Sequence, residues 1–252
     1  YEHYIEKYLP YILSDEVIPT TERAQVLYTV SESVVRGVFE SGLPHGLTSR
    51  DYTRVAKLVE KSLGFLSREQ SLRHIAALAS HDYSVYTHNV HVFVFATAIL
   101  QAMRADEHTQ LQAGIGALLH DIGKTRIPKE ILTKPGPLTP EERAVINTHP
   151  VRGLVLCQDV PLSQAAGHCI LLHHERMDGG GYPGGLTGES LPDHVKALAV
   201  ADVYDALTSN RVYAPAMAPF AALRLMRDEM AGHFDREVYK RLVVILSGAN
   251  MV

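Results

Sequence analysis

The sequence predicts an all-α fold. Apolar residues recur at three- and four-residue spacing along most of the 252 residues, and the breaks between these segments carry helix caps, proline and glycine. No run alternates apolar and polar residues clearly enough to make a strand. No internal repeat appears.

The elements follow in order. The opening residues read as the end of a linker helix. Residues 24–40, AQVLYTVSESVVRGVFE, form a clear helical pattern with Val34, Val35, Val38 and Phe39 on one stripe. Such a stripe first serves an intramolecular core; a homodimer contact or a link to an upstream sensor is the alternative use. Residues 49–66 form a second helix with Ser49 as its expected N-cap, and 71–79 a short apolar one. Residues 86–103 carry a broad apolar face, and 107–120 are rich in Ala, Leu and Gln. In LTPEERAVINTHP, Thr139 caps, Pro140 takes the first helical position and Glu142 the third, which is a capping box. Residues 151–157 are apolar enough for a strand, but Gly153 and the helical neighbours argue for helix. Helices over 163–173, 194–209, 219–230 and 235–246 complete the chain. The composition-biased loops are 124–139, rich in Pro and Lys, and 177–193, rich in Gly and Pro.

Bulk properties narrow the function classes. Hydrophobic residues make up 46% and charged residues 21%, ordinary for a soluble globular protein. The net charge of -4 advertises no basic face and argues against a duplex nucleic-acid binder. Two cysteines, Cys157 and Cys169, make no disulfide framework and fit a reducing, cytoplasmic compartment. The most apolar stretch, 92–100, is too short to span a bilayer, and no signal peptide opens the chain. The chain starts at Tyr1, as an excised piece of a longer protein would. Fourteen histidines are the unusual count.

Position decides what those histidines mean. Alone, a histidine at a helix end is most often a cap or a satisfied core residue, and a helical aspartate is usually solvated. Here LLHDIGK places His120 and Asp121 at the end of an apolar helix, with Gly123 as its natural stop. His149 precedes Pro150. His173 and His174 open HHERMDGGGYPGGL. Asp202 lies within KALAVADVYDAL among apolar neighbours, and HDYSVYTHN supplies His88. Buried carboxylates are costly unless paired or metal-bound. Together these groups read as one metal site, and His, Asp and solvent suit Fe, Mn, Zn, Ni or Co. Glu175 and Arg176 are expected to form a local solvated pair.

In order and spacing, HDIGK, THP, HHERMDGGGYPGGL and ADVYDALTSNRVY resemble the motifs of the HD-GYP family, a branch of the HD phosphohydrolases. The resemblance is strong over about residues 81–215. His120 and Asp121 match the naming HD pair, and Gly181, Tyr182 and Pro183 the GYP. It implies an HD-type helical bundle with a metal centre at helix ends, with 1–80 as a helical lead-in of the same module and 81–252 as the catalytic domain. It further implies hydrolysis of cyclic di-GMP to linear pGpG, in some members on to GMP, with some relatives preferring cyclic GMP–AMP. A diguanylate cyclase-type partner is implied for the GYP loop.

Carried over by position, His88, His120, Asp121 and Asp202 resemble the ligands of one metal. His149, His173 and His174 resemble those of a second, with Asp121 bridging. Fe or Mn would lead. Lys124 resembles a phosphate-contacting lysine, and Asp82, Asp205 and Arg211 match polar positions around the substrate. Two departures stand out. Ser84 occupies the place of a glutamate found in three-metal members, so two metals are expected. Ala214 replaces a lysine that reaches the substrate phosphate in many members, which bears on affinity and on the second cleavage.

The chemistry explains the residue types. Two metals roughly 3.5–4 Å apart hold and activate a bridging water, neutralise a phosphate oxygen and fix the line of attack. Neutral imidazoles leave the centre positive enough to attract a diester. Lys124 adds a point charge. Asp205, one turn after Asp202, suits a proton-handling or supporting role. The glycine run lets backbone approach closely, and Tyr182 gives the loop one stiff aromatic point for stacking on a base. Two alternatives remain: a catalytically weak module that binds nucleotide or partner, and an HD enzyme acting on nucleoside triphosphates or an alarmone, which would lack GYP after a double histidine.

Overall fold

The computed structural model describes residues 2–41, 43–67, 74, 84–210 and 215–248. Among these the regular structure is helical, with two isolated bridges in place of any strand. The helices are α1 (Glu2–Ser14), α2 (Thr20–Glu40), α3 (Ser49–Leu66), α4 (Val85–Ala102), α5 (Glu107–Leu119), α6 (Lys129–Leu132), α7 (Pro140–Ile146), α8 (His149–Leu156), α9 (Gln164–Leu172), α10 (Asp193–Thr208), α11 (Pro219–Asp228) and α12 (Arg236–Gly248). A 3-10 turn, Ile122–Arg126, joins α5 to α6.

The all-α expectation holds, with corrections at the ends. Thr48, not Ser49, caps α3, its side chain accepting the Asp51 N–H. Ser84 caps α4 in a box with Thr87. The Thr139 capping box is present as read. The apolar run 151–157 falls in helix up to Leu156, with Cys157 as the C-cap. The expected helix over 71–79 lies outside the described residues, His74 excepted.

α4 is the axis of the fold. It is buried around its whole circumference from Thr87 to Leu100, and packs on α10, α5, α2 and α12. Burial all round is what so apolar a sequence demands. Val34, Val35, Val38 and Phe39 are buried in the chain's own core, so the stripe on α2 serves packing within the chain. That core is one cluster running from Leu9 to Leu246. Cys157 and Cys169 are free and buried, and burial pushes both thiols up to about 12. No helix of the described residues is long and apolar enough to cross a membrane.

Gly123 does not stop α5, which ends at Leu119 with His120 as its C-cap. Gly123 sits inside the 3-10 turn, where a Cβ would lie 1.9 Å from the His149 carbonyl oxygen and 2.6 Å from the Gly153 nitrogen. Only glycine allows this backbone-on-backbone contact between the turn and α8. The contact holds Asp121 and His149 in one frame.

Candidate metal centre

Helix ends orient the imidazoles. His120 follows α5, His149 follows α7 and His173 follows α9. Each turns Nδ1 onto a carbonyl three residues back: His120 to Ala117 at 2.7 Å, His149 to Ile146 at 2.8 Å and His173 to Ile170 at 3.0 Å. The last carbonyls of a helix lack intrahelical partners and accept such bonds. A carbonyl only accepts, so each ring carries its proton on Nδ1 and presents a bare Nε2. His88 on α4 follows the same logic with a carboxylate. Its Nδ1 lies 2.6 Å from Asp205 Oδ2, and its Nε2 lies 3.1 Å from Asp202 Oδ1.

The bare nitrogens converge. His149 Nε2 and His173 Nε2 are 3.0 Å apart. Asp121 Oδ1 lies 3.3 Å from His149 Nε2 and 3.9 Å from His173 Nε2. Asp121 Oδ2 lies 3.6 Å from His120 Nε2 and 3.8 Å from His88 Nε2. His120 Nε2 and Asp121 Oδ1 are buried with no hydrogen-bond partner. Lone pairs facing one another in a dry interior repel, and unsatisfied buried polar atoms are costly. A cation between them removes both penalties, and an imidazole whose other nitrogen is held by a carbonyl or carboxylate is the usual metal donor. Among the described residues, two groups have ligand atoms mutually within 4.8 Å: His88, His120 and Asp121; and Asp121, His149, His173 and His174. Asp121 belongs to both. The donor set fits divalent metal.

The electrostatics agree. Burial pushes the imidazoles of His120 and His173 down from the ordinary value and that of His174 to about 3, so all three are neutral donors. Burial opposes ionisation of Asp121, but the Lys124 ammonium, with Nζ 2.5 Å from Oδ2, holds its carboxyl well below the ordinary carboxylate range. At Asp202 burial is likewise overcome, and its carboxyl, beside the His88, His174 and His120 imidazoles, is held well below the ordinary value. Neutral nitrogens and ionised carboxylates together favour cation binding.

The glycine-rich loop is anchored by Glu175, which overturns the expected solvated pair. Glu175 is 2% exposed. Its Oε1 accepts the Gly184 N–H at 2.6 Å and its Oε2 the Leu186 N–H at 2.9 Å. Arg176 pairs instead with Asp178. A Cβ at Gly181 would stand 2.5 Å from Glu175 Cα and from the His174 carbonyl oxygen, so the close approach read from the glycine run is real. The loop lays the Tyr182 ring 4.7 Å from the His174 ring.

The structure therefore brings together His88, His120, Asp121, His149, His173, His174 and Asp202. Lys124 and Asp205 touch members of that group, and Tyr182 lies over it. His174 Nδ1 reaches Asp202 Oδ2 at 3.7 Å. Asp82, Arg211 and Ala214 lie outside the described residues. Sequence reasoning missed His91, Glu175 and Asn89, whose Nδ2 donates to the Leu118 carbonyl at 2.9 Å. His91 had a signal: it stands three residues after His88, on the same helix face.

The sequence pattern of the HD domain matches residues 54–238. The chain belongs to the HD domain family. It is 36% identical over 197 residues to the cyclic di-GMP phosphodiesterase PA4108 of Pseudomonas aeruginosa, which covers 77% of this chain and 47% of that protein. It is 38% identical over 127 residues to the 3'3'-cGAMP-specific phosphodiesterase 1 of Vibrio cholerae, covering 50% and 30%. The chain thus spans about half or less of the curated relatives it matches. Among solved structures, Bd1817, an HDG"Y"P protein from Bdellovibrio bacteriovorus, shares the HD fold with a TM-score of 0.81 at 21% identity, over 97% of this chain and 78% of that one. The family read from the motifs stands.

Proposed function

We propose that this chain is a metal-dependent phosphodiesterase that opens a cyclic dinucleotide, with cyclic di-GMP as substrate and linear pGpG as product. The observation that carries the reading is the set of bare Nε2 atoms facing the two oxygens of one buried aspartate, Asp121. A divalent metal bound there supplies the Lewis acidity and activated water that phosphodiester hydrolysis needs. His88, His120, Asp121 and Asp202 would hold one ion, and Asp121, His149, His173 and His174 a second. Two ions are favoured because the Ser84 side chain is occupied in capping α4. Fe or Mn suits this nitrogen and oxygen donor set.

The chain's other residues divide the remaining work. Lys124, partly exposed beside Asp121, would neutralise the phosphate. Asp205 holds the His88 ring through its Nδ1 and would take a supporting or proton-handling role. Tyr182 offers an aromatic face to a base. Asp82 and Arg211 complete the substrate contacts by position in the motifs. Residues 1–80 would act as the lead-in of the catalytic module 81–252. A second reading concerns substrate only: the similarity to the cGAMP-specific phosphodiesterase favours testing the mixed dinucleotide.

The test is hydrolysis of cyclic di-GMP and cyclic GMP–AMP by protein loaded separately with Mn and reduced Fe, with Asp121→Ala as control. Linear dinucleotide from the unmodified chain alone is expected. No product with either metal, while nucleotide still binds, would replace the enzyme by a binding module.

A further inference from the structure

A buried polar chain leaves the metal centre through Asp205 and ends on α2. Asp205 Oδ2 takes His88 Nδ1 at 2.6 Å, and Asp205 Oδ1 takes His91 Nδ1 at 2.8 Å. His91 Nε2 lies 3.0 Å from the Tyr28 hydroxyl, and the two rings stack at 5.6 Å with planes 21° apart. The Ser209 hydroxyl adds a bond to Asp205 Oδ1 at 3.2 Å. His88, His91 and Asp205 are all buried.

Proton direction along this chain is fixed by its members. A carboxylate only accepts, so His88 and His91 both carry their protons on Nδ1. His91 Nε2 is then bare and accepts from the Tyr28 O–H, and His88 Nε2 is bare and faces Asp121 and Asp202. Each oxygen of Asp205 is claimed by a different imidazole. The tilt of that carboxylate, and with it the aim of His88, depends on where His91 sits, and Tyr28 pins His91 by both a hydrogen bond and a stacked face.

We infer that Tyr28 and His91 are positioning residues for the metal donor His88, acting through Asp205. The inference rests on the metal-centre reading above. It gives α2, which precedes the matched stretch 54–238, a direct bearing on the centre: the helix contributes a hydroxyl three contacts away from a donor atom. A purely space-filling role for Tyr28 would be met equally well by phenylalanine.

The experiment is Co(II) affinity, measured by competition with a chromophoric chelator and by the visible absorption of the bound ion. It compares the unmodified chain with Tyr28→Phe, His91→Asn, the double variant and Asp121→Ala. Supporting groups of this kind are worth about 10–100-fold in metal affinity. His91→Asn is expected to weaken Co(II) within that range, and Tyr28→Phe by about tenfold, the lower end because one contact more separates it from the metal. The double variant should be no weaker than His91→Asn alone, since the effects run in series. Tyr28→Phe removes one oxygen and keeps the ring, so it serves where His91→Asn fails to fold. Unchanged affinity and spectrum in folded Tyr28→Phe and His91→Asn, with binding lost in Asp121→Ala, would overturn the positioning role alone. Normal Co(II) binding by Asp121→Ala would overturn the metal centre and the inference with it.

Discussion

The carboxylate of Glu175 accepts the backbone N–H of Gly184 at 2.6 Å, across nine residues of chain. Its second oxygen takes Leu186, so one buried side chain closes the glycine-rich loop beneath Tyr182. Glutamine at this position keeps the shape but has only one accepting oxygen. Glu175→Gln should leave one of the two amides without its partner, a loss of about 1–3 kcal/mol. Hydrogen exchange at Gly184 or Leu186 should then speed by roughly tenfold to a hundredfold while α4 amides stay protected. Equal protection at both amides in the variant would show that the loop holds itself.

Two glycines make a matched pair for stability. A methyl group at Gly123 meets the His149 carbonyl at 1.9 Å, whereas at Gly64, on the exposed face of α3, nothing lies within 4 Å. Gly123→Ala should destabilise by about 3 kcal/mol or more through forced backbone movement. Gly64→Ala should stabilise by roughly 0.5–1 kcal/mol by helix propensity. Urea midpoints measure both, and opposite signs are the expected result.

Acid should weaken the metal-free protein in two stages. His120, His173 and His174 have folded-state values below their unfolded ones, His174 at about 3. Below about pH 6.5 the unfolded chain therefore binds more protons, and stability is lost as pH falls, by at most roughly 1.4 kcal/mol per unit for each imidazole. Asp121, Asp202 and Asp205 are also depressed, so their contribution is present above about pH 4 and is lost below it. Urea unfolding in chelator from pH 8 to 4 should show a midpoint that falls from about 6.5 downward. A midpoint flat across that range would mean the imidazoles are not held neutral.

The helices were legible because α4, α5 and α10 bury so much surface that their apolar content leaves no other period. The site was legible where costly groups stood in apolar sequence: Asp202 inside KALAVADVYDAL, and His120 after GALL. What stayed hidden depended on contacts far apart in the chain. Glu175 looked like half of a solvated pair because its true partners are backbone amides, which have no letter in the sequence. His91 looked like one more residue of a buried helix, since its role is set by Asp205, 114 positions on. Gly123 read as a helix stop because its neighbour across the gap, the His149 carbonyl, is equally silent in sequence.

The core that runs unbroken from Leu9 to Leu246 separates two boundaries usually assumed to coincide. The family pattern begins at residue 54, but α2 packs on α4, with Tyr28 against His91 and Phe39 against Tyr86. Expressed alone, 54–238 would turn that flank of α4 outward as an uncovered apolar face, the kind of surface that drives aggregation. The shortest version of this HD domain that keeps its oily interior covered is therefore set by where that interior closes, some thirty residues before the point at which the family pattern begins.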